Sequence, residues 1–150
     1  DDATIYVSGN YCEWAIENDL ISTQLIHEHS DEFNRAGVYS NQDVKNQFCF
    51  VDGDNEIVAE EHSFIIAKGN SIVNAYGTSY VIALENAEIN AYDDVIVRSS
   101  GNSIINAYNF SKVIASENSV VIGMNDVYIK TLTPSVEVTT FDNCIWKKLF

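Results

Sequence analysis

The chain has 150 residues, 22 acidic and 8 basic side chains, a formal net charge of −14, and 46% hydrophobic residues that include 2 Trp, 8 Tyr and 7 Phe. That length bounds it to one domain, or one with a small appendage, and so much apolar content excludes intrinsic disorder. The charge opposes direct nucleic-acid binding, because a phosphate-binding groove needs lysine and arginine to displace counterions, and it favours a basic partner.

Residues 1–45 carry 9 acidic and 2 basic side chains. Within them Glu13 to Glu28 sets Trp14, Ile16, Leu20, Ile21, Leu25 and Ile26 at roughly helical spacing, which predicts a helical cap. His27, Glu28, His29, Asp31 and Glu32 contain metal-donor atoms. On one helix only His27 and Asp31 would share a face, so the cluster reads as a polar helix end, and no metal or cofactor is expected.

From Asn46 the chain falls into gapless octads, among them HSFIIAKG, NSIVNAYG, TSYVIALE, NAEINAYD, DVIVRSSG, NSIINAYN and FSKVIASE, ending at Thr133. The fourth position is Ile or Val in nearly every row (Ile57, Ile65, Val73, Val81, Ile89, Val97, Ile105, Val113, Val121, Ile129), and the sixth is small. Positions three, five and seven accept Glu88, Lys112, Asn74, Arg98 and Lys130. Each octad is therefore a short strand with its even positions inward, closed by a corner of Gly, Asn, Asp or Glu that tolerates left-handed backbone. A repeat of this kind predicts a solenoid.

The outward residues choose the turn length. A 16-residue turn of two octads stacks Tyr76 on Tyr92 on Tyr108, Asn74 on Asn90 on Asn106, and Asn70 on Asn86 on Asn102 on Asn118. It also places Ile72 between Glu56 and Glu88, and Phe110 between Asp94 and Asp126. A three-octad turn would stack Glu61 on Glu85 and Asp93 on Glu117, like charges in contact. The expected fold is thus all-β, a two-sheeted parallel β-solenoid with a 1–45 N-terminal cap containing a short helix, a 46–133 solenoid of five to six turns, and a 134–150 C-terminal cap. Its core is a single file of Val and Ile. The serines at position two, including Ser63, Ser71, Ser79, Ser103, Ser111 and Ser119, read as small inward residues bonded near a corner, since no oriented Ser, His and Asp set is visible.

One outer face carries Phe48, Phe50, Phe64, Ile66, Tyr80, Ile82 and Leu84. So much apolar surface calls for a cover, and residues 1–45 are expected to lie over Phe50, Ile66 and Ile82, a homodimer contact being the alternative. The opposite face carries the candidate binding residues, Tyr76, Tyr92 and Tyr108 beside Asn74, Asn90 and Asn106. Such ladders stabilise a parallel sheet, and a tyrosine row also offers apolar area with polar tips. Glu56 with Glu88, and Asp94 with Asp126, fall near the separation that glycoside hydrolysis uses, but an apolar residue stands between each pair, and no catalytic residue is assigned.

The units NSIVNAYG, NAEINAYD and NSIINAYN resemble the octapeptide-repeat proteins of phages and prophage-bearing bacteria, whose units run Asn or Ser, any, Val, any, Ala, Tyr, then Gly or Asp. The resemblance covers about residues 46–133. It implies a β-solenoid and brings no catalytic residues to carry over; Tyr is absent from alternate rows, and Arg98, Phe110 and Lys112 interrupt the motif. With no run of 18 or more apolar residues, no transmembrane helix is expected. Cys12, Cys49 and Cys144 form no disulfide framework, which suggests a reducing, cytoplasmic setting. The function expected is a non-catalytic acidic binding module, in particular an inhibitor that offers a basic nucleic-acid-binding protein a surrogate for DNA. The alternatives are a structural or adhesive solenoid segment and a carbohydrate-active β-helix.

Overall fold

The computed structural model describes Ala15, Asn18 and residues 20–150. Among them two short helices, α1 (Thr23–Glu28) and α2 (Ser30–Arg35), precede the strands β1 (Val38–Ser40), β2 (Val44–Lys45), β3 (Phe48–Val51), β4 (Glu56–Glu60), β5 (Phe64–Ala67), β6 (Ile72–Ala75), β7 (Tyr80–Ala83) and β8 (Glu88–Ala91). The chain continues through β9 (Ile96–Ser99), β10 (Ile104–Tyr108), β11 (Lys112–Ala115), β12 (Val120–Met124), β13 (Tyr128–Thr131), β14 (Glu137–Phe141) and β15 (Ile145–Lys148).

The odd-numbered strands make one eight-stranded sheet and the even-numbered strands a seven-stranded one, so the chain crosses between sheets at every corner. All pairings are parallel. Phe64 sits beside Phe48 and Tyr80 beside Phe64 in the odd sheet, while Ile89 sits beside Val73 and Ile105 beside Ile89 in the even sheet. Each step is 16 residues, the two-octad turn that the like-charge argument selects. The result is a two-sheeted β-solenoid of about seven turns.

Its core follows from the alternation. Ile65, Val81, Val97 and Val113 of the odd sheet and Val73, Ile89, Ile105 and Val121 of the even sheet are all fully buried, with Ala67, Ala75, Ala83, Ala91, Ala107 and Ala115 filling beside them. Burying each Val or Ile contributes about 1.5–3 kcal/mol, and a core this narrow offers few other sources of apolar burial. Five of the six position-two serines have the structural role expected of them: Ser63, Ser79, Ser103, Ser111 and Ser119 each donate to the carbonyl three residues earlier, at 2.7–2.9 Å, whereas the Ser71 hydroxyl is buried with no partner among the described residues. At the corners Glu61, Gly77, Asp93 and Asn109 on one edge, and Gly69, Glu85, Gly101 and Glu117 on the other, have positive φ. Gly101 is confined as well, since a Cβ there would lie 2.8 Å from the backbone nitrogen of Glu85 one turn earlier.

The apolar outer face of the odd sheet is covered. Ile26 of α1 and Phe33 of α2 cluster with Val38, Phe50, Ile66 and Ile82, all buried. Of the expected Glu13–Glu28 helix, the described residues show Ala15 helical, a bend at Leu20 and Ile21, and α1 only from Thr23. The Ser22 hydroxyl caps α1 by accepting from the Leu25 N–H at 3.1 Å, the helix ends at His29, and α2 starts at once. Leu20 and Leu25 are exposed, and Trp14 and Ile16 lie outside the described residues.

The sheets also run further than the octads. At the N-terminal end β1 and β2 pair out of phase, Val38 beside Phe48 and Val44 beside Ala59. At the other end residues 134–150, expected as a cap, instead add a rung to each sheet. Glu137 pairs with Val120 and Ile145 with Tyr128, because the corner around Pro134 holds one extra residue. That insertion shifts the phase without ending the ladder, and it leaves Phe141, Ile145 and Trp146 exposed on the last rung.

Candidate functional site

The outer face of the even sheet brings all six candidate binding residues together. Parallel pairing at a constant 16-residue step forces like on like. The Tyr76 and Tyr92 rings stack at 4.8 Å and the Tyr92 and Tyr108 rings at 4.9 Å, with 7° between planes in both pairs. Beside them Asn106 donates through Nδ2 to Asn90 Oδ1, and Asn90 through Nδ2 to Asn74 Oδ1, both at 2.9 Å. A similar column of longer bonds (3.4 Å) runs along one corner from Asn118 through Asn102 and Asn86 to Asn70.

The tyrosine geometry changes what the row can do. Tyr92 spends both faces on its neighbours and Tyr76 and Tyr108 one each, so the row presents mainly edges and hydroxyls outward, not the open faces on which a flat ligand would stack. Burial first, and then the neighbouring Tyr76 and Tyr108 phenols, hold the Tyr92 hydroxyl above its usual pKa. The row is thus a line of hydroxyl groups at strand spacing.

The amide ladder has a direction, and a carboxylate sets it. Asn74 Nδ2 donates to Glu56 Oε1 at 2.9 Å, so every donor in the column points toward the N-terminal rung. Glu88 Oε1 accepts from Asn106 Nδ2 at 3.2 Å. Of the two carboxylate pairs considered for glycoside chemistry, Glu56 and Glu88 are engaged as ladder acceptors, two rungs apart with Ile72 between them. The spacing arguments missed these bonds because Glu56 and Asn74 are diagonal neighbours in adjacent rungs, 18 residues apart.

Charge is sorted by face. Along residues 46–150 the carboxylates lie on the even sheet (Glu56, Glu60, Glu88, Glu137) or at corners (Asp52, Asp54, Glu61, Glu85, Asp93, Asp94, Glu117, Asp126, Asp142), and none lies on an odd strand. Of the six cations in that stretch, Arg98, Lys112, Lys130, Lys147 and Lys148 lie on β9, β11, β13 and β15, and Lys68 lies at a corner, 3.7 Å from Glu85. Lys130 and Lys147 sit over the Tyr128 ring at 5.5 and 5.6 Å, and Lys148 sits 4.7 Å from the Trp146 ring. Asp52 accepts from Thr23 and Asn41 and Asp54 from Asn70, and six other corner carboxylates fall into two groups. Glu85 accepts from the Gly69 N–H, Asp93 from the Gly77 N–H and Glu117 from the Gly101 N–H, each closing the corner one turn earlier. Asp94, Asp126 and Asp142 are exposed, and the ion pairs seen among the described residues, Lys45 with Glu61 and Lys68 with Glu85, do not include them. Lys45 pairs with Glu61 at 2.8 Å, which raises the lysine pKa and lowers that of the glutamate.

Elsewhere the expected donor set does not assemble. His27 ends α1, His29 lies between the helices, and Asp31 and Glu32 begin α2; among the described residues no three His, Cys, Asp or Glu side chains gather as a metal site would need. The hollow beside His27, about 450 Å3, is lined by Thr23, Gln24, Ser40, Asn41 and Gln42 and holds no carboxylate pair. Cys49 is buried, its thiol pushed up to about 11 mainly by burial; it and Cys144 are free, and Cys12 lies outside the described residues. No helix among the described residues is long and apolar enough to cross a membrane.

Fold and surface together define the class, a parallel two-sheeted β-solenoid with polar ladders on one face and its charges segregated. Comparison with protein-family models, curated proteins and solved structures returns no match to this chain.

Proposed function

We propose that the protein is a non-catalytic acidic binding module, an inhibitor that offers a basic nucleic-acid-binding protein a substitute for DNA. The observation that carries this reading is the sorting of charge. Exposed carboxylates occupy the even sheet and both corner edges, while five of the eight cations sit on the distal odd strands; Lys45 on β2 and Lys68 at a corner pair with Glu61 and Glu85. A basic partner is drawn to the acidic side and repelled from the distal odd face, which sets its orientation as well as its encounter rate. The tyrosine hydroxyls and ladder amides then supply contacts that salt does not screen. The free thiols of Cys49 and Cys144 fit a cytoplasmic, reducing setting, and the octapeptide units support an origin in phage or prophage. A structural segment is the second reading, favoured by the uninterrupted stack of parallel rungs.

The test is affinity capture from a host-cell lysate with bound proteins and nucleic acids both identified, using the wild type and a variant with Asp93→Asn, Asp94→Asn and Asp126→Asn. The expected result is a basic DNA-binding protein retained by the wild type, released by salt and lost from the variant. Hydrolysis of a glycan or ester that vanishes on substitution of Glu88 or Asp94 would overturn the reading in favour of an enzyme.

A further inference from the structure

The outer face of the even sheet changes character where its polar ladders stop. In the three outward columns Glu88 is followed by Ile104, Val120 and Glu137, Asn106 by Ile122, and Tyr108 by Met124, one rung at a time. Ile104 is 39% exposed, and Val120, Ile122 and Met124 are half-buried. β10 and β12 are interior rungs, each paired on both sides. A sheet that faces water on one side normally turns polar residues outward. The odd sheet breaks that rule at Phe50, Ile66 and Ile82, and there α1 and α2 bury all three. Over the even-face seam no such element lies among the described residues.

Polar groups around the seam are left with capacity. Asn106 Nδ2 gives its bonds to Asn90 and Glu88, so Asn106 Oδ1 turns to the next rung, where the Ile122 side chain has no donor. Glu137 is exposed and makes no side-chain bond or ion pair among the described residues. Glu88 and Glu137 stand three rungs apart, about 14 Å at strand spacing. An extended chain rises about 3.4 Å per residue with alternate side chains on one face, so its residues i, i+2 and i+4 span that same distance.

We propose that the seam docks an extended segment of a basic protein, laid along the solenoid axis, in which an aromatic or long aliphatic residue stands two residues from a Lys or Arg on either side. The two cations meet Glu88 and Glu137, the apolar side chain lies on Ile104, Val120 and Ile122, and a donor of the segment reaches Asn106 Oδ1. Charge selects this occupant. A second copy would set these carboxylates against their own kind between two chains of −14 each, and a phosphate backbone would meet the same repulsion. The seam covers roughly 150 Å2, the scale of one aromatic side chain, so it is the apolar anchor of a contact whose rim is charged. The inference rests on the basic-partner reading and specifies the chemistry that such a partner must present.

The test is titration of the isotope-labelled full chain with two synthetic peptides, followed by amide NMR shifts. One peptide carries Lys-Ser-Trp-Ser-Lys between glycines, and the other has Ser in place of Trp. The first is expected to shift the amides of Ile104, Val120 and Ile122 and to bind about tenfold tighter than the second. Val120→Thr with Ile122→Thr keeps β-branched side chains on the strand, so circular dichroism and melting temperature should hold while the tryptophan peptide loses that advantage. Glu88→Gln with Glu137→Gln keeps an acceptor for Asn106 and should weaken both peptides and flatten their salt dependence. Equal binding of the two peptides, binding by neither, shifts confined to other faces, indifference to the threonine pair in a folded variant, or a dimer of the chain that the threonine pair dissolves would each overturn the proposal. The basic-partner reading falls by a different result, an association rate of the captured protein indifferent to salt. A captured protein that is sensitive to salt yet indifferent to the threonine pair overturns the seam alone.

Discussion

Replacing Asn90 with aspartate keeps the side chain's shape and reverses one of its two bonds. Asn90 donates to Asn74 Oδ1 and accepts from Asn106 Nδ2, both at 2.9 Å. A carboxylate still accepts from Asn106, but it turns an oxygen toward Asn74 Oδ1. Asn74 cannot relieve the clash by rotating its amide, because its Nδ2 is committed to Glu56 and rotation would set oxygen against that carboxylate. The loss is one hydrogen bond, about 0.5–1.5 kcal/mol, plus the cost of opposing a charge to a lone pair, together about 2–3 kcal/mol at pH 7. Asn90→Ala removes both bonds without the charge and should cost about 1–2 kcal/mol. The fold raises the pKa of the new carboxyl, since only the protonated form can donate to Asn74. Stability relative to the wild type is then greatest below the unfolded carboxyl value of about 4 and is lost as pH rises through the folded one. Urea denaturation followed by circular dichroism at pH 4 and pH 7 checks this. Equal destabilisation by Asn90→Asp and Asn90→Ala at both pH values would refute a directional ladder.

Ile105→Ala should cost about 2–5 kcal/mol in the same assay, because the residue is fully buried in a core one side chain wide that has little around it to collapse inward. Gly101→Ala should cost at least the roughly 1–2 kcal/mol of placing a side chain in left-handed backbone, and more because the added Cβ meets Glu85 backbone, whereas Glu85→Gly relieves backbone strain and loses the carboxylate that closes Gly69 and faces Lys68 at 3.7 Å. Titration of phenol absorbance should find Tyr92 ionising above the usual value, and Tyr76→Phe with Tyr108→Phe should lower it in part, burial remaining; stability from Tyr92 is present below pH about 10 and lost as pH rises through the folded value. In a Cys12→Ser background a thiol reagent should label Cys144 quickly and Cys49 only on unfolding.

Most of the solenoid is legible in the sequence because in a quasi-one-dimensional fold the spatial neighbour is a fixed step along the chain. Once Tyr76, Tyr92 and Tyr108 recur at that step, their stacking follows, as do the asparagine ladder and the buried serines. Legibility fails where the step changes. β1 and β2 precede the first clean octad, and the extra residue near Pro134 moves β14 and β15 out of phase, so residues that continue the sheets look like caps. It fails again where a contact is diagonal, as between Glu56 and Asn74, and where capping overrides spacing, as when Ser22 starts α1 well inside the apolar stretch. Net charge hid the basic strip. The octads did contain it, since outward Arg98, Lys112 and Lys130 fall in alternate rows that belong to one sheet, but an overall balance of −14 averages the two faces. That the tyrosines consume one another's faces needed the ring planes, which spacing does not specify.

The most direct test of the binding account is the association rate of the captured basic protein with the wild type, and with the Asp93→Asn, Asp94→Asn, Asp126→Asn variant, measured by stopped flow between about 50 and 500 mM salt. Steering by the acidic faces predicts a rate that falls about tenfold or more across that range, a shallower fall for the variant, and dissociation that is sped instead by Tyr76→Ala with Tyr108→Ala. An association rate indifferent to both salt and the three substitutions would contradict it.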